Sequence, residues 1–254
     1  MTLAQAVIQE ARSQAAINKE KKMLTELDLD TEISQKLTKE TLTQTKIRSM
    51  FLMQNELNTL IDPTWHEGNK CDFNRATMVE LAELMDHYGY KWWKGQEPNV
   101  DQCKLEVIDI AHFHISNLIK NAQQNESDID TYLLELEENI QPIEVDKSPE
   151  AVRNLIDECV FLASSKNFSS KALGLLMATF DLTIDELYEK YILKNTLNIF
   201  RNKNGYKAGT YKKVWDGRED NEVLMDCFVA LDHESPSLAE DLYGMLEVVY
   251  KEVA

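Results

Sequence analysis

The stretches MVELAELMDHYGYKWWK (78–94) and CKLEVIDIAHFHI (103–115) decide how this chain is read. In each, apolar residues recur at the three- and four-residue spacing of a helix that buries one face. Yet each also carries two acids three residues apart, Glu80 with Glu83 and Glu106 with Asp109. Residues so spaced share a helix face, where like charges repel. Acids at this spacing usually lie on a solvated face. Here Leu105, Val107, Ile108, Ile110 and Phe113 surround Glu106 and Asp109 and leave only a narrow polar strip. Two such helices packed antiparallel would gather four carboxylates.

A carboxylate cluster in a half-buried cleft demands either raised pKa values or bound cations. Oxygen-only ligands favour Mg2+ or Mn2+ over zinc. Di-iron bundles want Glu-x-x-His on two helices. Neither Glu80 nor Glu106 has a histidine at that offset, and His87, His112 and His114 are expected elsewhere. His112 reads as a packed or hydrogen-bonded side chain rather than a metal ligand.

Outward from these two helices the pattern stays helical. Residues 46–61 carry Ile47, Met50, Phe51, Leu57, Leu60 and Ile61 at helical spacing, and Pro63 ends the run. Helices are expected at 75–88, 102–120, 149–164, 169–180, 183–201, 220–231 and 236–252. Thr183 with Glu186 three residues on reads as an N-cap. Residues 64–77 open as a loop, and 202–220 reads as a polar loop. No alternating strand pattern appears. The expected fold is all-α, a helical bundle in which two carboxylate-bearing helices form a metal site. Residues 1–45, rich in Gln, Lys, Glu and Thr, read as a peripheral N-terminal extension, and 46–254 as the main domain. Residues 121–150 hold nine acids and one base, Lys147, and read as an acidic insertion or mobile lobe with a short helix around 128–139.

Composition narrows the function classes. The chain has 254 residues, 43% of them hydrophobic, so a substantial core is expected. Only eight glycines and five prolines are present, as long helices with few tight turns require. The net charge of −17 disfavours nucleic acid and anionic membranes as partners. Cys71, Cys103, Cys159 and Cys227 are far apart, with no C-x-x-C, so reduced thiols in a cytoplasm are expected. No apolar run reaches membrane-spanning length, and the N-terminus lacks a signal-peptide pattern.

Two further constellations bear on chemistry. Residues 190–213 hold Lys190, Lys194, Arg201, Lys203, Lys207, Lys212 and Lys213 and no acid. Lys194, Asn198 and Arg201 share a helix face, which suits either a solvated basic surface or an anion site. Carboxylates for Mg2+ beside a basic loop for phosphates together describe a nucleotide site. In MQNELN (53–58), Gln54 and Asn58 lie four apart on one face, and amides can read the donor and acceptor edge of a base.

The segments QNELN (54–58), ELAELMD (80–86), KWWK (91–94), EVIDIAHF (106–113) and YILKNTLNIFRNKNGYKAGTYKKVWDGREDNEV (191–223) make the chain resemble the dimeric, all-α dUTPases, relatives of the MazG-type pyrophosphatases. The likeness covers roughly 46–120 and 150–250. It implies Mg2+-dependent hydrolysis of dUTP and dUDP to dUMP by a cytoplasmic homodimer. It implies metal ligands at Glu80, Glu83, Glu106 and Asp109, with Glu80 or Glu83 as the base that orients water. It places Gln54, Asn58 and Trp93 at the base, and Lys194, Asn198, Arg201, Tyr206 and Lys213 at the phosphates. Tyr90 stands where many members have Trp, and Asn202 where many have Gln. A dCTP or mixed-specificity pyrophosphatase would share the same metal site, and a nucleotide-binding regulator would lack turnover.

Overall fold

Nine helices and one two-residue β-hairpin make up the described part of the computed structural model, which covers residues 42–253 except 234 and 236. The N-terminal extension expected at 1–45 therefore lies almost wholly outside the described residues. In chain order the helices are α1 (Leu42–Ile61), α2 (Phe73–Tyr88), α3 (Val100–Gln124), α4 (Ile129–Asn139), α5 (Pro149–Ser164), α6 (Ser170–Thr179) and α7 (Ile184–Lys203). Strands β1 (Val214–Trp215) and β2 (Arg218–Glu219) follow, then α8 (Asp220–Val229) and α9 (Leu238–Val253). The described chain divides into two compact units, one of residues 46–191 and one beginning at residue 192.

In the first unit α2 and α3 are the central pair. Asp72 caps α2 by accepting from the Arg75 amide, and Asn99 caps α3 by accepting from the Gln102 amide. Thr77, Leu81, Leu84 and Tyr88 form the buried stripe of α2. Cys103, Val107, Ile110, Ala111 and Ile115 form that of α3. Each buried aliphatic chain of this size contributes about 1.5–3 kcal/mol. The two helices run in opposite directions: Phe73 stacks on Phe113 at 6.4 Å, while His87, near the other end of α2, reaches Glu106. Helix α5 also packs on α2, and α6 packs on α3 and α4.

The acidic segment 121–150 divides between the last turn of α3, the helix α4 and extended chain. Helix α4 packs against α6 and buries Leu133 and Leu136. Gly174 of α6 is what allows this approach, since a Cβ there would fall on the backbone carbonyl of Asn139. Thr183 caps α7 by accepting from the Glu186 amide, but the Glu186 carboxylate does not close the capping box. It accepts from Lys104 Nζ at 2.8 and 3.1 Å instead.

The second unit is organised by aromatic rings. Phe200 and Trp215, both fully buried, pack against Tyr250 with centroids 5.0–5.5 Å apart. Tyr211 stacks on Tyr250 at 5.5 Å. The hairpin β1–β2 falls inside a stretch whose sequence reads as loop. Its turn is Asp216-Gly217, both at positive φ (51° and 77°), the Asp-Gly pairing that favours tight hairpins. All four cysteines are free, three of them buried and Cys71 half-buried.

Candidate functional site

Glu80 and Glu83 of α2 and Glu106 of α3 bring carboxylate oxygens within 4.8 Å of one another. The cause is local: Glu106 lies on the flank of α3 that faces α2 and is only 7% exposed, Glu80 is half-buried, and Glu83 is exposed. The solvated-face reading thus fails for Glu106. Asp109 stands outside the tight trio but close to it. Burial, then the Asp109 charge, then a hydrogen bond shared with Glu106 push the Glu80 carboxyl up to about 7. A half-buried, all-oxygen set that holds a proton this strongly fits a hard divalent cation.

His87 does not lie elsewhere, as its sequence offset suggests. Its Nε2 is 3.4 Å from Glu106 Oε1. Residues 80, 83 and 87 follow the three- and four-residue stripe of one helix face, and that spacing is the signal for it. His112 is buried, with Nδ1 2.8 Å from the Ile108 carbonyl, in keeping with the packed role read from the sequence.

Gln54 and Asn58 are brought together. Both are buried, and Gln54 Nε2 donates to Asn58 Oδ1 at 3.0 Å. Asn58 Nδ2 donates to Ser116 Oγ at 3.0 Å, and the Tyr191 hydroxyl donates to Gln54 Oε1 at 2.6 Å. Tyr191 lies flat on the His112 ring, with centroids 3.7 Å apart. Ser116 and Tyr191 carry no local signal in the sequence, because their partner amides lie 58 and 137 residues away along the chain. Trp93 stands in the α2–α3 connection, exposed, edge-on to Tyr90 at 5.9 Å and Trp92 at 5.6 Å.

Lys194, Asn198, Arg201, Tyr206 and Lys213 all belong to the second unit. Lys194 is exposed on α7 and Asn198 half-buried. Arg201 donates from Nε and Nη2 to the fully buried Asp220, and its guanidinium lies 6.0 Å from the Tyr206 ring. The Tyr211 hydroxyl donates to the same carboxylate at 2.8 Å. Burial opposes ionisation of Asp220, but these two partners still hold its carboxyl below the usual range. Lys213 Nζ lies 3.4 Å from Glu219 at the surface. Nothing in its local spacing marks Asp220 in the sequence; only its pairing with Arg201 in the fold does.

A polar cavity of about 200 Å³ opens at the N-terminal end of α2, lined by Cys71, Asp72, Asn117, Lys120 and Lys166 among others. Lys120 Nζ donates there to the Cys71 carbonyl at 2.8 Å. None of the clustered acids or the paired amides lines it.

The model of the dUTPase family matches residues 46–206. The chain belongs to the dUTPase family. Its activity is accordingly that of a dUTP diphosphatase. The matched span contains the four acids of α2 and α3, the amides of α1, and Lys194, Asn198, Arg201 and Tyr206, but not Lys213. A comparison with curated proteins gave no significant match. No helix among the described residues is long and apolar enough to cross a membrane.

Proposed function

We propose that this member of the dUTPase family hydrolyses dUTP to dUMP and pyrophosphate, and dUDP to dUMP and phosphate, with Mg2+ held by Glu80, Glu83, Glu106 and Asp109. The observation that carries the reading is the trio of carboxylates across α2 and α3, within the span matched to the family. Mg2+ or Mn2+, when bound, supplies charge neutralisation between acids and phosphates and a more acidic bound water.

The residues of the chain do the rest. Glu80 or Glu83 orients the attacking water and takes its proton. Glu106, fixed by its burial, holds the geometry of the cluster. Gln54 and Asn58 meet the pyrimidine edge, and Trp93 flanks the base. Lys194, Asn198, Arg201, Tyr206 and Lys213 bind phosphate oxygens, where positive charge offsets what develops in the transition state. The family resemblance further supports a homodimer in the cytoplasm, with dUMP supplied to thymidylate synthesis and uracil kept out of DNA. Residues 46–254 act as the catalytic domain, with 121–150 inserted in it and 1–45 peripheral.

The test is product analysis on a panel of deoxynucleoside tri- and diphosphates, with Mg2+ and with a chelator. Release of dUMP and pyrophosphate from dUTP, abolished by the chelator, is the expected result. Equal turnover of dCTP and dUTP would replace it with a broader pyrimidine pyrophosphatase, and tight binding without products would mean a regulator.

A further inference from the structure

We propose that Tyr191 is a positioning residue for base selection: its hydroxyl and that of Ser116 hold the Gln54–Asn58 amide pair in the single orientation that accepts uracil. This rests on the reading that Gln54 and Asn58 meet the base.

The direction of the chain of hydrogen bonds follows from one group that can only accept. The Ser116 hydroxyl gives its proton to the His112 carbonyl at 2.9 Å. Its oxygen is then left to accept, and Asn58 Nδ2 donates to it at 3.0 Å. Asn58 Oδ1 therefore faces Gln54 and accepts from Nε2 at 3.0 Å. That turns Gln54 Oε1 toward Tyr191, whose hydroxyl donates at 2.6 Å. Gln54, Asn58, Ser116 and Tyr191 are all buried. Turning either amide over would set oxygen against oxygen or N–H against N–H, a serious cost where water cannot intervene.

Tyr191 is itself held. Its ring lies on the His112 imidazole with planes 2° apart, and His112 is tied to the Ile108 carbonyl. Three helices thus fix one phenol: α7 carries it, α3 supports its face, and α1 presents the amide it addresses.

The consequence is chemical. Uracil offers an acceptor and an N–H donor where cytosine offers an amino donor and a ring-nitrogen acceptor. An amide free to rotate serves both bases, whereas one whose two ends are fixed serves one. Selectivity then belongs to the residues behind the amides as much as to the amides.

The test compares kcat/KM for dUTP and dCTP in the full chain, in Tyr191→Phe and in Ser116→Ala. Tyr191→Phe keeps the ring on His112 and removes only the donor. Ser116→Ala removes the acceptor at the other end. The dUTP-to-dCTP ratio should fall about tenfold in each, the worth of one neutral hydrogen bond. Folded variants that keep the full ratio, whatever their melting temperature, overturn the proposal and leave the network purely structural. A wild-type protein with no preference for dUTP overturns the reading of Gln54 and Asn58, and this proposal with it.

Discussion

The guanidinium of Arg201 grips the carboxylate of Asp220 through two hydrogen bonds of 2.8 Å, Nε to Oδ2 and Nη2 to Oδ1. This fork is the strong, geometrically specific form of an ion pair, and Asp220 has no exposure to water. A residue read from the sequence as a phosphate ligand is therefore also a structural counter-ion.

That dual role changes what its removal should do. Arg201→Ala should abolish most turnover and also cost about 3–5 kcal/mol of stability, because a buried charge loses its partner. Lys203→Ala should do neither, since Lys203 is exposed on α7 with its ammonium 5.1 Å from the Tyr243 ring. Adding Asp220→Asn to Arg201→Ala should restore much of the melting temperature and none of the turnover. Full activity in that double variant would remove Arg201 from the phosphate set.

Glu106→Ala should lower kcat by at least about two orders of magnitude, as loss of a key catalytic group does. In the presence of a chelator it should leave the melting temperature unchanged or higher, because one of several mutually repelling acids has gone. Steady-state kinetics beside thermal unfolding will separate the two effects. Unimpaired turnover would return Glu106 to a structural role.

Asn58→Ala should shrink the preference for dUTP over dCTP, which in the unmodified protein should reach about two orders of magnitude or more in kcat/KM. Metal dependence should survive the substitution. Comparable values for the two nucleotides before any substitution would turn attention to Tyr90 and Asn202.

Burial lowers the pKa of His114 from 6.5 to about 4, with Nε2 3.0 Å from Ser170 Oγ. The unfolded chain takes up this proton below its ordinary pKa while the folded protein refuses it. The stability is fully present above that value and is lost as pH falls toward about 4, by about 3 kcal/mol at most. Denaturant titrations across this window should show the slope, and His114→Gln should flatten it.

Glu80 runs the other way. Its carboxyl stays protonated up to about 7 when folded, against 4.5 ordinarily, so metal-free protein should lose stability as pH rises through that window. Metal binding requires the proton to leave. Calorimetry should find Mg2+ affinity weakening as pH falls below about 7, with proton release on binding. A pH-independent affinity would exclude Glu80 as a ligand.

Much of the scaffold was legible because helix ends carry their own chemistry. Pro149, Ser169 and Thr183 mark starts, and Gly89 marks a stop, within a few residues of where α5, α6, α7 and α2 begin or end. The acid pairs were legible because three-residue spacing is a statement about one helix face. Pairings made across long stretches of chain were not. Tyr191 and Gln54 lie 137 residues apart, and nothing in the local pattern of α7 distinguishes that phenol from any core tyrosine. Arg201 and Asp220 share the difficulty at shorter range, since a buried aspartate looks like a first-turn acid until its partner is seen. The Asp216-Gly217 turn was written in the sequence but flanked by strands too short to alternate.

The uneven burial of the four thiols makes the chain a ready-made single-site probe. Burial pushes Cys103 up to about 11 and Cys159 and Cys227 up to about 12, so at neutral pH they are protonated as well as hidden. Cys71 is the half-buried exception, and its backbone carbonyl is held by Lys120. A maleimide dye added to native protein should couple there alone. The fluorophore would stand beside the first turn of α2, the helix that carries Glu80 and Glu83, and would report in real time on any shift of that helix as metal or nucleotide arrives, without engineering a single codon.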